Sequence, residues 1–165
     1  MTHLPPQPIS PLDGRYRAAV AGLGDFLSEA GLNRARVHVE VEWLAYLTSH
    51  SLLGGAPLAE GELAALREWA ASFGQAEIDR LAEIEATTQH DVKAVEYLVR
   101  EQLTRQGLDR IAELTHVCCT SEDINNLSYA LTIKQAVEEV WLPKLEAVIV
   151  ELARQAEQYR ELPMM

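Results

Sequence analysis

From Ser121 to Leu162 the chain contains no glycine, and Leu127, Leu131, Val137, Trp141, Leu145, Val148, Leu152 and Ala156 recur at helical spacings. Steps of three and four place such residues on one side of an α-helix. Ala130, Ile133, Val140, Leu142, Ile149 and Val150 widen that stripe beyond one face, the pattern of a helix enclosed by several others. One proline, Pro143, stands near the middle. Because the pattern resumes directly at Leu145, Val148 and Ile149, this proline is expected to kink the helix near its middle, not to end it. About 40 helical residues reach roughly 60 Å, whereas a compact chain of this length has a radius of gyration near ~15 Å. Such a rod outreaches the globule its own chain can form. Its apolar faces call for other subunits or for further residues of a longer protein.

The remaining chain reads as shorter helices. Residues 1–11 hold four of the seven prolines and no apolar period, which predicts an extended arm. Arg15 to Leu27 read as one or two short helical pieces interrupted near Gly22 and Gly24, since glycine weakens a helix interior by roughly 1 kcal/mol. From Leu32 to Leu53 the apolar positions Val37, Val41, Leu44 and Leu47 mark an amphipathic helix, with Arg34, Arg36, Glu40 and Glu42 assigned mainly to its other faces. Gly74 divides Glu60 to Ala86 into two helices, Val92 to Gln106 forms another, and a short piece follows from Arg110 to Leu114. No strand-like alternation bounded by hairpin turns occurs. The expected fold class is all α.

Composition narrows the function. A net charge of −11 over 165 residues argues against a nucleic-acid footprint and against an anionic membrane surface. Any anionic ligand must then be held by local groups. No apolar run approaches the ~18 residues of a membrane span, and no basic-then-apolar leader opens the chain, so a cytoplasmic protein is the default expectation. Cys118 and Cys119 are adjacent, which suits neither a structural disulfide framework nor a CxxC metal site, and both read as small buried apolar residues. His38 and His50 read as surface or core-edge residues of their helix.

Two places carry a different signal. Thr120 with Asp123 three residues on fits an N-terminal capping box, and Thr88 with Asp91 repeats the spacing. Two helices are thus expected to start alike, each beside a histidine, His116 or His90. Early backbone N–H groups without intrahelical partners, together with the helix dipole, attract anions. Both ends can face one anionic ligand.

Three blocks then take on meaning together: Ser10-Pro11-Leu12-Asp13-Gly14-Arg15-Tyr16, Thr87-Thr88-Gln89-His90-Asp91-Val92-Lys93-Ala94-Val95-Glu96-Tyr97, and Cys119-Thr120-Ser121-Glu122-Asp123-Ile124-Asn125-Asn126-Leu127-Ser128. In this order and at these separations they resemble the adenylosuccinate lyases of the fumarase/aspartase superfamily. The resemblance implies β-elimination of fumarate from adenylosuccinate, giving AMP, and from the succinylated aminoimidazole carboxamide ribotide, giving its amide. Both steps belong to purine nucleotide biosynthesis. It implies a small-molecule nucleotide substrate, no metal or organic cofactor, and a homotetramer whose active sites draw on more than one subunit. An N-terminal helical domain is expected over residues 1–114 and the start of the long-helix bundle domain over 115–165.

Position by position, the resemblance assigns Arg15 and Tyr16 to the nucleotide portion of the substrate. Gln89, His90 and Asp91 are assigned to the site lining near the phosphoribosyl group, with Gln89 standing where relatives usually have asparagine. Thr120 and Ser121 match a Thr-Ser pair that binds substrate, while His116 is assigned substrate orientation. Lys93, one helical turn beyond Gln89, reads equally as an added cation for an anionic ligand and as a solvated helix lysine. The family's proton-transfer residues, a histidine in a Thr-His-Gly-Gln segment and a serine on a later Gly-Ser-Ser-x-Met-Pro loop, do not occur in this sequence. The chain therefore reads as an N-terminal portion, inactive alone. Two other readings compete: a non-catalytic helical interaction module of the same fold, and a lyase of the superfamily acting on argininosuccinate or fumarate. Joint retention of Arg15, His90, Thr120 and Ser121 weighs against the first, since packing needs none of them. The Thr87 to Tyr97 block weighs against the second.

Overall fold

The structure, a computed structural model, describes residues 10–163; most of the proline-rich arm lies outside the described residues. Among the described residues there is no strand, and the all-α expectation holds. No described helix is long and apolar enough to cross a membrane. The chain forms two compact units, one over Glu29–Thr132 and one that joins the segment ending at Ser28 to the segment beginning at Ile133.

α1 (Gly24–Leu27) belongs to the other unit; in the Glu29–Thr132 unit, α2 (Glu29–Ser49) is the long central element. It is followed by α3 (Glu60–Ala71), α4 (Gln75–Thr88), α5 (Asp91–Arg105), the short α6 (Asp109–Ala112) and the first turns of α7 (Ser121–Gln135). Glycine divides α3 from α4 at Gly74, as the sequence predicts. The core is built where the apolar stripes of these helices meet: Val37, Val41 and Leu44 from α2, Leu66 from α3, and Val95, Leu98 and Leu103 from α5. A second cluster joins Val39 of α2, Val92 at the start of α5 and Ile124 at the start of α7. This smaller cluster brings the first turns of two helices onto one side of α2.

α2 departs from the sequence reading. Arg36 and Glu40, assigned to its outer faces, are buried at 4% and 0% exposure. They lie one helical turn apart, each next to a buried valine, so the enclosed face of α2 includes a charged row. A count of apolar positions cannot register such a row.

In the second unit, residues 11–20 are turns, and a single 3₁₀ turn over Ala21–Leu23 precedes α1. Gly22 faces Val140, whose methyls a Cβ there would meet at 3.6 Å, and the Lys144 ammonium donates to the Ala19 carbonyl at 3.2 Å. The later helical run also differs from expectation. Helicity continues past Gln135 as a π-helical stretch over Ala136–Trp141 and returns to α geometry in α8 (Leu142–Tyr159). Proline has no N–H to donate and its ring crowds the carbonyl four residues back, which for Pro143 belongs to Glu139. A widened π turn absorbs both problems without ending the helix. The irregularity therefore sits before the proline. None of the α8 side chains is buried, and Val148, Ile149 and Leu152 are 54%, 55% and 60% exposed.

Candidate functional site

The site residues of the Glu29–Thr132 unit are held by the charged row of α2. The Arg36 guanidinium donates from Nη2 to Asp91 Oδ2 at 2.7 Å, from Nε to Asn125 Oδ1 at 2.9 Å and from Nη1 to Asn33 Oδ1 at 2.8 Å. Its planar fork thus ties the first residue of α5 and the fifth residue of α7 to α2. Asp91 also accepts the Val92 N–H on its other oxygen at 2.8 Å. Partial burial pushes its carboxyl up, but the Val92 N–H and the Arg36 guanidinium outweigh this and hold it below the ordinary carboxylate range.

The start of α5 is not the capping box that the spacing of Thr88 and Asp91 predicts. α4 runs through Thr88, and Gln89 closes it in the left-handed conformation with φ +52° while its amide donates to the Ala86 carbonyl at 2.9 Å. His90 is the N-cap, its Nδ1 accepting the Lys93 N–H at 3.2 Å. With a single left-handed residue joining α4 to the cap, the Thr88 hydroxyl reaches only the His90 carbonyl, at 3.1 Å. Lys93 turns to Glu96, Nζ to Oε2 at 2.7 Å, and lies over the Tyr97 ring. The His90 ring is half exposed.

At the start of α7 half of the predicted box forms. Asp123 Oδ2 accepts the Thr120 N–H at 2.7 Å, and the Thr120 hydroxyl donates to the same oxygen at 2.8 Å instead of accepting an early N–H. These two donors lower the Asp123 carboxyl from its usual range. Ser121 opens the helix beside them. The preceding segment is held from α2: the Trp43 indole donates to the Val117 carbonyl at 2.9 Å, Glu40 Oε2 accepts the His116 N–H at 3.1 Å, and Glu40 Oε1 lies in hydrogen-bond contact with His116 Nδ1 at 2.6 Å. His116 and Cys118 are both left-handed, with φ of +62° and +60°. Burial pushes the Glu40 carboxyl up, and its bond to His116 offsets this only in part. Cys118 is exposed and Cys119 half-buried, so the reading of both as buried holds for neither in full. Burial, with Glu40 and Asp123 nearby, raises the Cys119 thiol to about 11, which leaves it an inert thiol at neutral pH.

A family model described as lyase matches residues 14–165. The chain belongs to this lyase family. It is similar to the curated adenylosuccinate lyases of Haemophilus influenzae and Escherichia coli, each 43% identical over 159 residues that cover 95% of this chain and 35% of the relative. It is also similar to the adenylosuccinate lyase of Dictyostelium discoideum, 38% identical over 162 residues with the same coverage. The chain thus spans about a third of the length of these relatives, at 35%.

Within this member of the lyase family the candidate residues divide by unit. His90, Asp91, Lys93, His116, Thr120 and Ser121, with Gln89 before them, belong to the Glu29–Thr132 unit, where Arg36 links the two helix starts through Asp91 and Asn125. Arg15 and Tyr16 belong to the other unit, where the Arg15 guanidinium lies 4.9 Å from the centre of the Tyr16 ring. Arg36, Glu40, Trp43 and Asn125 escaped the sequence reading. For Arg36 and Glu40 the available signal was their interleaving on α2, where they sit beside Val37 and Val41 at the same four-residue step. Among the described residues no group of three His, Cys, Asp or Glu side chains is placed to hold a metal.

Asp91→Asn is expected to destabilise the chain by about 1–3 kcal/mol, because Arg36 stays buried without its carboxylate while the half-exposed position of Asp91 screens part of the loss. The folded-state carboxyl lies below its unfolded value, so this contribution is complete above about pH 4 and is lost as pH falls through the folded value. Urea unfolding of parent and variant at stepped pH reads both. A gap that widens on acidification would contradict the assignment.

Proposed function

We propose that this chain supplies the nucleotide-binding part of an adenylosuccinate lyase that eliminates fumarate from adenylosuccinate and from the succinylated aminoimidazole carboxamide ribotide, in purine nucleotide synthesis in the cytoplasm. The observation that carries the reading is Arg36, which draws the starts of α5 and α7, with their His90 and Thr120–Ser121 segments, to one helix in a chain 43% identical to curated adenylosuccinate lyases. Such an elimination needs a base at the carbon beside a carboxylate, an acid at the departing nitrogen, and fixed donors around the dianionic intermediate. Thr120, Ser121 and the first N–H groups of α7 supply donors, and His90 and His116 supply ring nitrogens. Arg15, with Tyr16, is assigned an anionic group of the nucleotide, which a guanidinium meets with two parallel bonds. Gln89 and Lys93 hold secondary places, since the Gln89 amide serves Ala86 and the Lys93 ammonium serves Glu96. The acid and base are assigned to the Thr-His-Gly-Gln segment and the serine loop of a full-length protein, in which the bundle domain begins near Thr115.

Full-length protein is expected to release fumarate from adenylosuccinate, followed by absorbance, whereas residues 1–165 alone release none. Turnover by the purified 165 residues would overturn the assignment of the acid and base. Arg15→Ala in the full-length protein is expected to lower kcat/KM by roughly 30- to 900-fold, the equivalent of about 2–4 kcal/mol for an anion left without its partner. Kinetics equal to the parent would return Arg15 to the surface.

Self-association is part of the same proposal. Trp141, Val148, Ile149, Val150 and Leu152 are all more than half exposed. Covering each large side chain is worth about 1.5–3 kcal/mol. A homotetramer built around these helices is expected for the full-length protein in light scattering at micromolar concentration. A stable monomer would refute it.

A further inference from the structure

Glu40 is wholly buried, and among the described residues it pairs with no arginine or lysine: its two oxygens go to His116, one to ring Nδ1 and one to the backbone N–H. Bonding both the ring and the main chain of one residue does two things. It holds His116 at a left-handed φ of +62°, a conformation that costs a residue with a Cβ roughly 1–2 kcal/mol. It also decides the ring's protonation pattern, because an ionised carboxylate only accepts and so requires the hydrogen on Nδ1. The ring is 19% exposed, and Nε2 is the nitrogen that remains for a ligand. Trp43, one turn further along α2, fixes the next carbonyl in the same segment. The charged and titratable groups around the pair are otherwise committed. Glu96 of α5 spends its oxygens on Lys93 at 2.7 Å and Arg100 at 3.3 Å, Asp123 of α7 serves Thr120, and the Cys119 thiol stays protonated.

We infer that Glu40 is a positioning residue for the elimination proposed above: it locks His116 as the Nδ1–H tautomer and so presents Nε2 to the bound nucleotide. This inference rests on the adenylosuccinate lyase reading. A histidine placed by a carboxylate behind it follows a general pattern in which the second partner fixes both tautomer and ring orientation. Glutamine at position 40 separates this role from plain support. Its amide oxygen can still accept the His116 N–H, but its NH2 group would face Nδ1 as a donor and force the hydrogen to Nε2.

The test is a double-mutant cycle in the full-length protein with Glu40→Gln, His116→Asn and the pair, read as fumarate release from adenylosuccinate between pH 6 and 9 and as the thermal midpoint. Asparagine at 116 keeps a donor for Glu40 and removes Nε2. Glu40→Gln is expected to lower kcat about 10- to 100-fold with the midpoint held within about 2 °C, and to cost nothing further once His116→Asn is present. Should Glu40→Gln fail to fold, Glu40→Asp takes its place in the cycle, where the shorter carboxylate lowers kcat through the same dependence on Nε2. Parent-like turnover of the position-40 variant, or losses that multiply in the double mutant, overturns the inference while leaving the lyase reading standing. A parent that releases no fumarate overturns both.

Discussion

The candidate site depends on two charges that α2 carries into the interior. Arg36 and Glu40 are one turn apart, and between them they hold the beginning of α5, the beginning of α7 and the segment that leads into α7. Burying charges seldom adds net stability over well-packed apolar side chains of the same volume, because desolvation offsets the attraction. What such groups add is direction. An apolar contact tolerates a helix start displaced by an ångström, whereas a guanidinium fork that serves Asp91, Asn125 and Asn33 at once admits one arrangement. The apolar cluster of Val39, Val92 and Ile124 supplies cohesion to the same region, and Arg36 supplies the register.

The electrostatics follow the same local logic. With a net charge of −11 the chain as a whole repels anions, so an anionic ligand has to be met by donors that are fixed in place. Helix starts meet that need, since the field there is positive and their first N–H groups have no partner within the helix. The two starts are capped by different chemistry. At α5 a histidine ring caps the helix, and at α7 the Asp123 carboxylate takes both donors of Thr120. The carboxyls around them shift in opposite directions for the same reason. Asp91 and Asp123 have strong donors and lie below their usual range, while Glu40 is too deeply enclosed for His116 to compensate its burial.

Legibility in the sequence varied with the kind of signal. Helix existence and type were written in the apolar period, and the break at Gly74 was written in a single residue without a side chain. The capping box at Thr120 was half legible, because spacing tells which groups are within reach but not which of them donates. The box at Thr88 was misread because α4 continues one residue too far for Thr88 to cap anything, and the length of a helix end is set by the packing of its last turn. Pro143 announced an irregularity, yet its form, a π-helical stretch over Ala136–Trp141 upstream of the ring, is not written in the proline itself.

By itself the sequence determined an all-α chain, its main helices to within a few residues, the lyase family, and the blocks around Arg15, His90 and Thr120. These are properties of periodicity and of short contiguous words, which need no knowledge of what lies across the interior. Only the tertiary structure decided that Arg36 and Glu40 face inward, that Asn125 rather than a capping group meets Arg36, and that His116 leans on a carboxylate 76 residues earlier in the chain. Those pairings join residues far apart in sequence, and each exists because the packing of α5 and α7 on α2 closes the distance between them. A charged residue on a helix carries no mark of its partner. Whether it is solvated or buried is settled by which neighbour arrives with the complementary group.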